Sequence, residues 1–135
     1  MFQLSPGVNT SEKDLTAVVP AVATSTGALA GTFPWGPVEA VMELSDEIRL
    51  VEAVGRPDAN SATFFFTAAN FLSYGRDLRL VRAANTGTKN ATSNGVSVLI
   101  KNDADYDANF SAGAITNGQF AAKYPGVLGN SLSVH

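Results

Sequence analysis

The amino-acid sequence predicts a mixed α+β fold, in which a small β-sheet with two helices is preceded by an extended N-terminal arm. Residues 1–26 contain Pro6 and Pro20, no 3.6-residue period and many β-branched or hydroxylated side chains, all of which favour extended backbone. Apolar residues then recur with a helical period in two stretches and with a strand-like pattern in several others. Because 135 residues support one core, we divide the chain into the arm, 1–26, and one core portion, 27–135.

Two strands are predicted first. Residues 27–32 are small and are interpreted as a strand buried on both faces, and the proline-rich turn at 34–37 ends it. The second strand is predicted at 38–44, where apolar residues at even positions alternate with Glu39, Val41 and Glu43. This period of two is typical of a half-exposed strand.

The first helix is predicted over residues 46–54. Ser45 can serve as its N-cap, the acidic residues of its first turn complement the helix dipole, and Gly55 supplies a left-handed stop. The side chains expected to face the core are Ile48, Val51 and Val54.

The second helix is predicted over residues 61–74. Its apolar side chains at helical spacing are Phe64, Ala68, Phe71 and Leu72. The three consecutive phenylalanines 64–66 cannot all point inward from one helix. At least one of them is therefore expected to meet a second layer or another subunit.

The remaining chain is predicted to contain two more strands and long loops. Residues 78–84 form a strand against the second helix, and residues 96–101 form another. The surrounding segment 85–119 is otherwise loop-like. Turns follow near Pro125 and Gly129, and the final SLSVH is interpreted as the start of a strand, so we expect the chain to be the front of a longer protein.

The composition excludes most catalytic chemistry. The chain has no cysteine, and its only histidine is His135, so thiolate metal sites, thiol nucleophiles and most acid–base chemistry have no residues to use. A net charge of −3 disfavours binding to nucleic-acid phosphates. Since the sequence also lacks a glycine-rich phosphate loop and a serine elbow, we predict no cofactor and no enzymatic activity.

Four patterns could still indicate a site. The 24 uncharged residues between Asp14 and Glu39 are long enough for a membrane span, but three prolines and three glycines argue against a helix. The aspartates at 103, 105 and 107 copy the opening of a calcium loop, but alanines replace its glycine and its final glutamate, which favours a solvated acidic loop. Arg79 and Arg82 point to opposite faces of a strand, so they cannot form one anion site. Trp35 is equally compatible with a lid on the core and an anchor on a neighbouring subunit.

Five segments, in one order, carry a resemblance to a known family. They are LSPGV, STGALAGTFPWGPVEAV, SDEIRLVEAVGRP, NFLSYGRDLRLVRAAN and AAKYPGVLGNSLSV. Together they resemble the N-terminal region of contractile tail sheath proteins of T-even-like myoviruses. The resemblance runs through nearly the whole chain and is weakest at 85–119, where such sheaths often carry insertions.

This resemblance implies a structural role. In such sheaths the segment matching residues 4–22 leaves its own subunit and adds a strand to a neighbour's sheet, and residues 27–135 would be the front of a larger sheath core domain. The residues that we place at the interface between subunits are Phe2, Leu4, Pro6, Gly7, Val8, Leu15, Val18, Val19 and Trp35.

The implied partners are other copies in stacked hexameric rings, the tail tube protein, and the baseplate and tail terminator proteins. Neither nucleic acid nor membrane insertion by this chain is implied. The implied location is the virion tail, with the host cytoplasm during assembly. A sheath of a tailocin or another contractile injection system is the alternative, and a small hydrolase is the alternative from a different class.

Overall fold

The computed structural model of the chain describes residues 26–111 and 118–133. Its elements in chain order are β1 (Thr26–Gly31), β2 (Val41–Leu44), α1 (Glu47–Val54), α2 (Ala62–Leu72), β3 (Asp77–Arg82), α3 (Asp103–Asn109) and a 3-10 helix (Val127–Ser131). Together they confirm the predicted α+β class. None of the helices in the described ranges is long and apolar enough to cross a membrane.

The three strands form one mixed sheet in the order β1-β3-β2. β3 lies at the centre, parallel to β1 with Gly31 opposite Arg82, and antiparallel to β2 with Met42 opposite Leu80. A parallel pair needs a long crossover connection, and β2, α1 and α2 provide it between β1 and β3. The central strand therefore carries the most deeply buried side chains of the sheet, Leu78 and Leu80.

Among the described residues, helices pack against one face of the sheet. The core on that face consists of Phe33, Leu44, Leu50, Val54, Phe65, Ala68, Leu72, Leu78 and Leu80. The side chains on the opposite face are exposed; they are Ala28, Ala30, Val41, Glu43 and Arg79. The prediction that β1 is buried on both faces is therefore wrong, because no described element lies against its second face.

Two glycines let helix α2 approach edge strand β1 closely. A Cβ atom added at Gly31 would stand 2.7 Å from the Phe64 ring, and one at Gly27 would stand 2.6 Å from the Phe71 ring. Both rings lie on α2 and are half-buried. The glycines of β1 therefore leave the space in which two aromatic rings of α2 pack against the strand.

Substitution Gly31→Val is expected to destabilise the fold by about 1–3 kcal/mol, because the added methyl groups displace Phe64 from a packed core. Ala30→Val is the matched control: it is the neighbouring position on the same strand, but its side chain faces the exposed side of the sheet. Urea unfolding midpoints of the two variants test this. A Gly31→Val midpoint as high as that of Ala30→Val would contradict the close packing.

Helix α1 begins one residue later than predicted, and Asp46 rather than Ser45 is its N-cap. The Asp46 carboxylate accepts a hydrogen bond from the Arg49 backbone N–H at 2.9 Å, and Ser45 Oγ donates to it at 2.9 Å. These bonds, the Arg49 one first, lower the pKa of Asp46 below its ordinary value of 3.8. Ser45 therefore supports the cap without being the cap.

The inward face of α1 differs from the prediction at two positions, since Ile48 was expected to face the core and Leu50 was not. Leu50 and Val54 are fully buried, whereas Ile48 is 72% exposed. At about 100° per residue, Ile48 lies about 160° around the helix axis from Leu50. The helix presents the Leu50–Val54 edge to the core, so Ile48 points to solvent.

Helix α2 confirms that the three phenylalanines cannot share one face. Phe65 is buried together with Ala68 and Leu72, Phe64 is half-buried over β1, and Phe66 is 61% exposed. The predicted face is largely confirmed, since Ala68 and Leu72 are buried and Phe64 and Phe71 pack half-buried against the core. Phe65 is the buried residue of α2 that was not predicted, because the helix packs both on the sheet and on the edge of β1.

Strand β2 is shorter than predicted because the backbone turns at Glu39. That residue has a φ of 57°, in the left-handed region, and Val38 forms only an isolated bridge with Arg82. The predicted alternation nevertheless holds, since Val38 and Leu44 are buried while Glu39 and Val41 are exposed.

Three predictions for the later chain are wrong. Residues 96–101 form no strand beyond a single bridge between Asn90 and Val98. The predicted loop after residue 101 contains α3, which Asn102 caps by accepting from the Asp105 N–H at 2.9 Å. The described part of SLSVH completes the 3-10 helix and forms no strand, and its last two residues lie outside the described ranges.

Candidate subunit interface

A buried arginine connects the sheet to two proline-containing turns. Arg82, the last residue of β3, is only 3% exposed. Its Nε donates to the Phe33 carbonyl at 2.8 Å, Nη1 to Gly36 at 2.7 Å, and Nη2 to Pro125 at 2.8 Å. Burial lowers the pKa of Arg82 below its usual range, because desolvation disfavours the charged guanidinium. This guanidinium thus holds the turn after β1 and the turn before the 3-10 helix against one end of the sheet.

This role of Arg82 was not predicted from the sequence. Strand parity predicted only that Arg79 and Arg82 face opposite ways, and that is confirmed, since Arg79 is exposed and Arg82 is buried. The available signal was an arginine at an inward position of a strand, together with two turns whose backbone carbonyls need donors. Matching the donor to those carbonyls required knowing how the chain folds back over 43 to 49 residues.

A buried asparagine has a similar role in the later chain. Asn90 is 3% exposed, and its Nδ2 donates to the carbonyls of Ile100 at 3.2 Å and Ala122 at 2.9 Å. Its Oδ1 accepts from the Ile100 N–H at 2.7 Å. The side chain thus occupies backbone groups that a strand partner would otherwise use, which explains why residues 96–101 form no regular strand.

Trp35 is half-buried and lies in the turn between Phe33 and Gly36, whose carbonyls accept hydrogen bonds from Arg82. Its ring meets Tyr124 edge to face with centroids 5.4 Å apart, and its backbone N–H donates to the Val54 carbonyl at 3.2 Å. Trp35 therefore covers part of its own chain. The other predicted interface residues lie outside the described ranges; they are Phe2, Leu4, Pro6, Gly7, Val8, Leu15, Val18 and Val19.

The acidic residues that copied a calcium loop lie in α3. Asp105 accepts hydrogen bonds from the Lys101 N–H at 2.9 Å and from Asn109 Nδ2 at 2.8 Å. Asp103 pairs with Lys123 at 3.4 Å across the surface. Within residues 26–111 and 118–133, no group of three side chains is arranged to hold a metal ion.

Both outer strands have an edge that no other strand covers in the described part of the chain, because the sheet order is β1-β3-β2. Beside the β1 edge lies an open groove of about 380 Å³, lined among others by Leu29, Phe71 and Tyr74. An added strand needs both features: backbone groups for its ladder and apolar surface for alternate side chains. The β1 edge is the better candidate, since it offers six residues against four on β2.

Large apolar side chains are also exposed elsewhere on the surface. They include Val41, Ile48, Phe66, Tyr74, Val127 and Leu132. Single exposed apolar residues are ordinary on a protein surface, so these side chains do not by themselves mark an interface.

Comparison with known proteins points to one family. Residues 24–83 match the family described as "Tail sheath protein Gp18 domain III N-terminal region". The chain is 37% identical to the tail sheath protein of Vibrio phage KVP40 over 94% of this chain, and 32% identical to that of Salmonella phage ViI over 99%. It is 43% identical to the tail sheath protein of Enterobacteria phage T4 over 65% of this chain. These alignments span only 18%, 21% and 13% of the three relatives.

Proposed function

This chain corresponds to the N-terminal region of the tail sheath proteins of T-even-like phages, and we therefore infer that it serves as part of a structural sheath subunit of a contractile phage tail. The observation that carries the proposal is the match to tail sheath proteins along 94% and 99% of the chain. The relatives are phage proteins, which favours a phage tail over a tailocin or another contractile injection system.

Subunits are held together by exchanged strands in this proposal. Within the predicted arm, the segment at residues 4–22 leaves its own subunit and adds a strand to a neighbour, with the β1 edge as its acceptor. The free edge of β1 and the apolar groove beside Leu29 and Phe71 support this choice. A strand addition of about ten residues gives roughly five backbone hydrogen bonds worth about 1 kcal/mol each, so a single contact is weak. Repetition through a lattice makes the assembly stable.

Contraction requires subunits to move while their exchanged strands stay paired. Pro6–Gly7 and Val19–Pro20 supply joints at which the arm can change direction without losing its pairing. The sheath would then be assembled in a metastable extended state and would drive the tail tube through the host envelope as it shortens. The cycle uses stored conformational energy and needs no cofactor.

The proposed partners follow from this cycle. Other copies form stacked hexameric rings around the tail tube protein, with the baseplate and tail terminator proteins at the two ends, in the virion. At the interface between subunits we place the arm residues together with Trp35, whose half-buried ring leaves surface for a neighbour.

Negative-stain electron microscopy of the purified chain tests the proposed function. We expect concentration-dependent rings or tubular polymers, because the arm and its acceptor edge are present in the same chain. A strictly monomeric protein at all concentrations would contradict the assembly proposal.

A further inference from the structure

An asparagine followed by a glycine lies in an exposed turn of the later chain. Asn94 and Gly95 are both exposed, and the turn follows the isolated bridge between Thr92 and Ala121. Gly95 has a φ of 74°, and a Cβ atom added there would meet no other part of the described chain within 4 Å. Water can therefore reach this position, and the backbone has room to move.

The side chain of Asn94 is folded back over the turn. Its Oδ1 accepts a hydrogen bond from the Val96 backbone N–H at 3.1 Å. The ring that this bond closes contains both the side-chain carbonyl carbon of Asn94, Cγ, and the backbone nitrogen of Gly95, so the two atoms are kept near each other. A donor on Oδ1 also stabilises the negative charge that develops on this oxygen when a nucleophile adds to Cγ.

The backbone nitrogen of Gly95 is only weakly restrained. Its N–H donates to the Thr92 carbonyl at 3.3 Å, which is longer than the usual range of about 2.7–3.2 Å. Because glycine has no Cβ atom, no side chain hinders the approach of this nitrogen to Cγ of Asn94. The turn thus brings an activated amide and an accessible backbone nitrogen together.

We propose that Asn94 is a site of spontaneous succinimide formation, through which the chain acquires an aspartate or an isoaspartate in this turn. The Gly95 nitrogen gives its proton to a solvent base and bonds to Cγ, and the bond from Cγ to Nδ2 breaks with release of ammonia. Water then opens the cyclic imide. Addition of water at Cγ gives aspartate, and addition at the main-chain carbonyl carbon of Asn94 gives isoaspartate. The inference does not depend on the proposed function.

The modification would change a turn that is attached to a neighbouring segment. The Ser93 N–H donates to the Phe120 carbonyl at 3.0 Å, and Ser93 Oγ accepts from the Gln119 N–H at 3.1 Å. Aspartate adds one negative charge beside this contact. Isoaspartate also adds a methylene group to the backbone, so it displaces Val96 relative to Ser93.

Asn90 provides an internal comparison. It is 3% exposed, its amide is hydrogen-bonded to backbone groups of Ile100 and Ala122, and the next residue, Ala91, has a Cβ atom. Trypsin cleavage after Lys89 and Lys101 places Asn90 and Asn94 in one peptide, residues 90–101. Asn117, which also precedes a glycine, lies outside the described ranges and falls in a different tryptic peptide, so its reaction is measured separately.

Incubation of the full chain in mildly alkaline buffer, followed by tryptic digestion and mass spectrometry, tests the proposal. Replacement of the amide nitrogen by oxygen should raise the mass of peptide 90–101 by about 1 Da, and fragment ions should locate the change at residue 94. We expect Asn94 to react at least about tenfold faster than Asn90, because only Asn94 is oriented toward an accessible backbone nitrogen. An isoaspartyl methyltransferase should label part of the product.

Two variants serve as controls. Asn94→Gln, whose longer side chain must close a larger ring, is expected to abolish the mass gain of the peptide. Gly95→Ala places a methyl group on the attacking residue and is expected to slow the reaction at least about tenfold. Circular dichroism confirms that each variant is folded.

Equal rates at Asn94 and Asn90 would overturn the proposal, as would a mass gain that persists in Asn94→Gln. The same incubation in urea separates the effect of the dipeptide from that of the folded turn. We expect the folded chain to react at a rate comparable to that of the unfolded chain. A folded chain that reacts more than about tenfold slower would show that the turn protects Asn94, against the proposal.

Discussion

Deletion of residues 1–19 is expected to leave a folded protomer that no longer self-associates. The core cluster extends from Phe33 to Leu80, and its members pack on one another. The deletion removes none of these residues. The free energy of unfolding, measured by urea denaturation, should therefore change by no more than about 1 kcal/mol, as expected for a change outside the core. Sedimentation velocity and negative-stain images report assembly, and circular dichroism reports folding.

A chain in which residues 1–19 are replaced by a glycine–serine segment of equal length is the control for this deletion. It keeps the length and the excluded volume of the arm but removes its alternating side chains and its two carboxylates. We expect it to behave like the deletion. Rings or tubes formed by either variant as readily as by the intact chain would show that assembly does not depend on the arm sequence.

Arg82→Met is expected to be the most destabilising single substitution, at about 3–5 kcal/mol. Three carbonyls, those of Phe33, Gly36 and Pro125, would lose their donors in a site that water reaches poorly. A domain of this size is stable by about 5–15 kcal/mol, so the variant should unfold at a much lower urea concentration. The two turns should also become more open to protease.

Arg79→Met on the same strand is the control. Arg79 is exposed and pairs with Glu43 and Asp77 on the uncovered face of the sheet, and such surface pairs contribute about 0–1 kcal/mol. Arg82→Lys should fall between the two, because an ammonium keeps the charge but cannot reach three carbonyls in the fork geometry of a guanidinium. Equal midpoints for Arg82→Met and Arg79→Met would refute the structural role of Arg82.

Much of the sheet and helix arrangement could be predicted from the sequence up to residue 82. Strand and helix periods, the stop at Gly55 and the turn at 34–37 are local signals, and each element lies within a few residues of its predicted place. The errors within this region concern which face is covered. Ile48 points to solvent and β1 is exposed on one face. Which face of an element is buried depends on where the other helices and strands pack, and local sequence patterns do not specify that.

The chain after residue 82 was predicted less well. Its conformation is held by side-chain hydrogen bonds to the backbone rather than by hydrogen bonds between paired strands. Asn90 satisfies backbone groups of Ile100 and Ala122, residues ten and thirty-two positions away. Helix α3 has an acidic, polar sequence with no buried residue. Its sequence therefore contains no helical repeat of apolar residues from which the helix could be predicted. Its N-cap at Asn102 was the one local signal available.

The family resemblance, the α+β class and the opposite directions of Arg79 and Arg82 were determined by the sequence alone, because order of motifs and strand parity are properties of the linear chain. The role of the arm stays a prediction, since residues 1–25 lie outside the described ranges. Only the tertiary structure decided that the Arg82 guanidinium donates hydrogen bonds to three carbonyls that are distant in sequence, and that a groove lined by arginines lies beside it. The physical reason is that a buried charge is stabilised by whatever dipoles the folded chain brings around it, and those dipoles come from turns that no local pattern links.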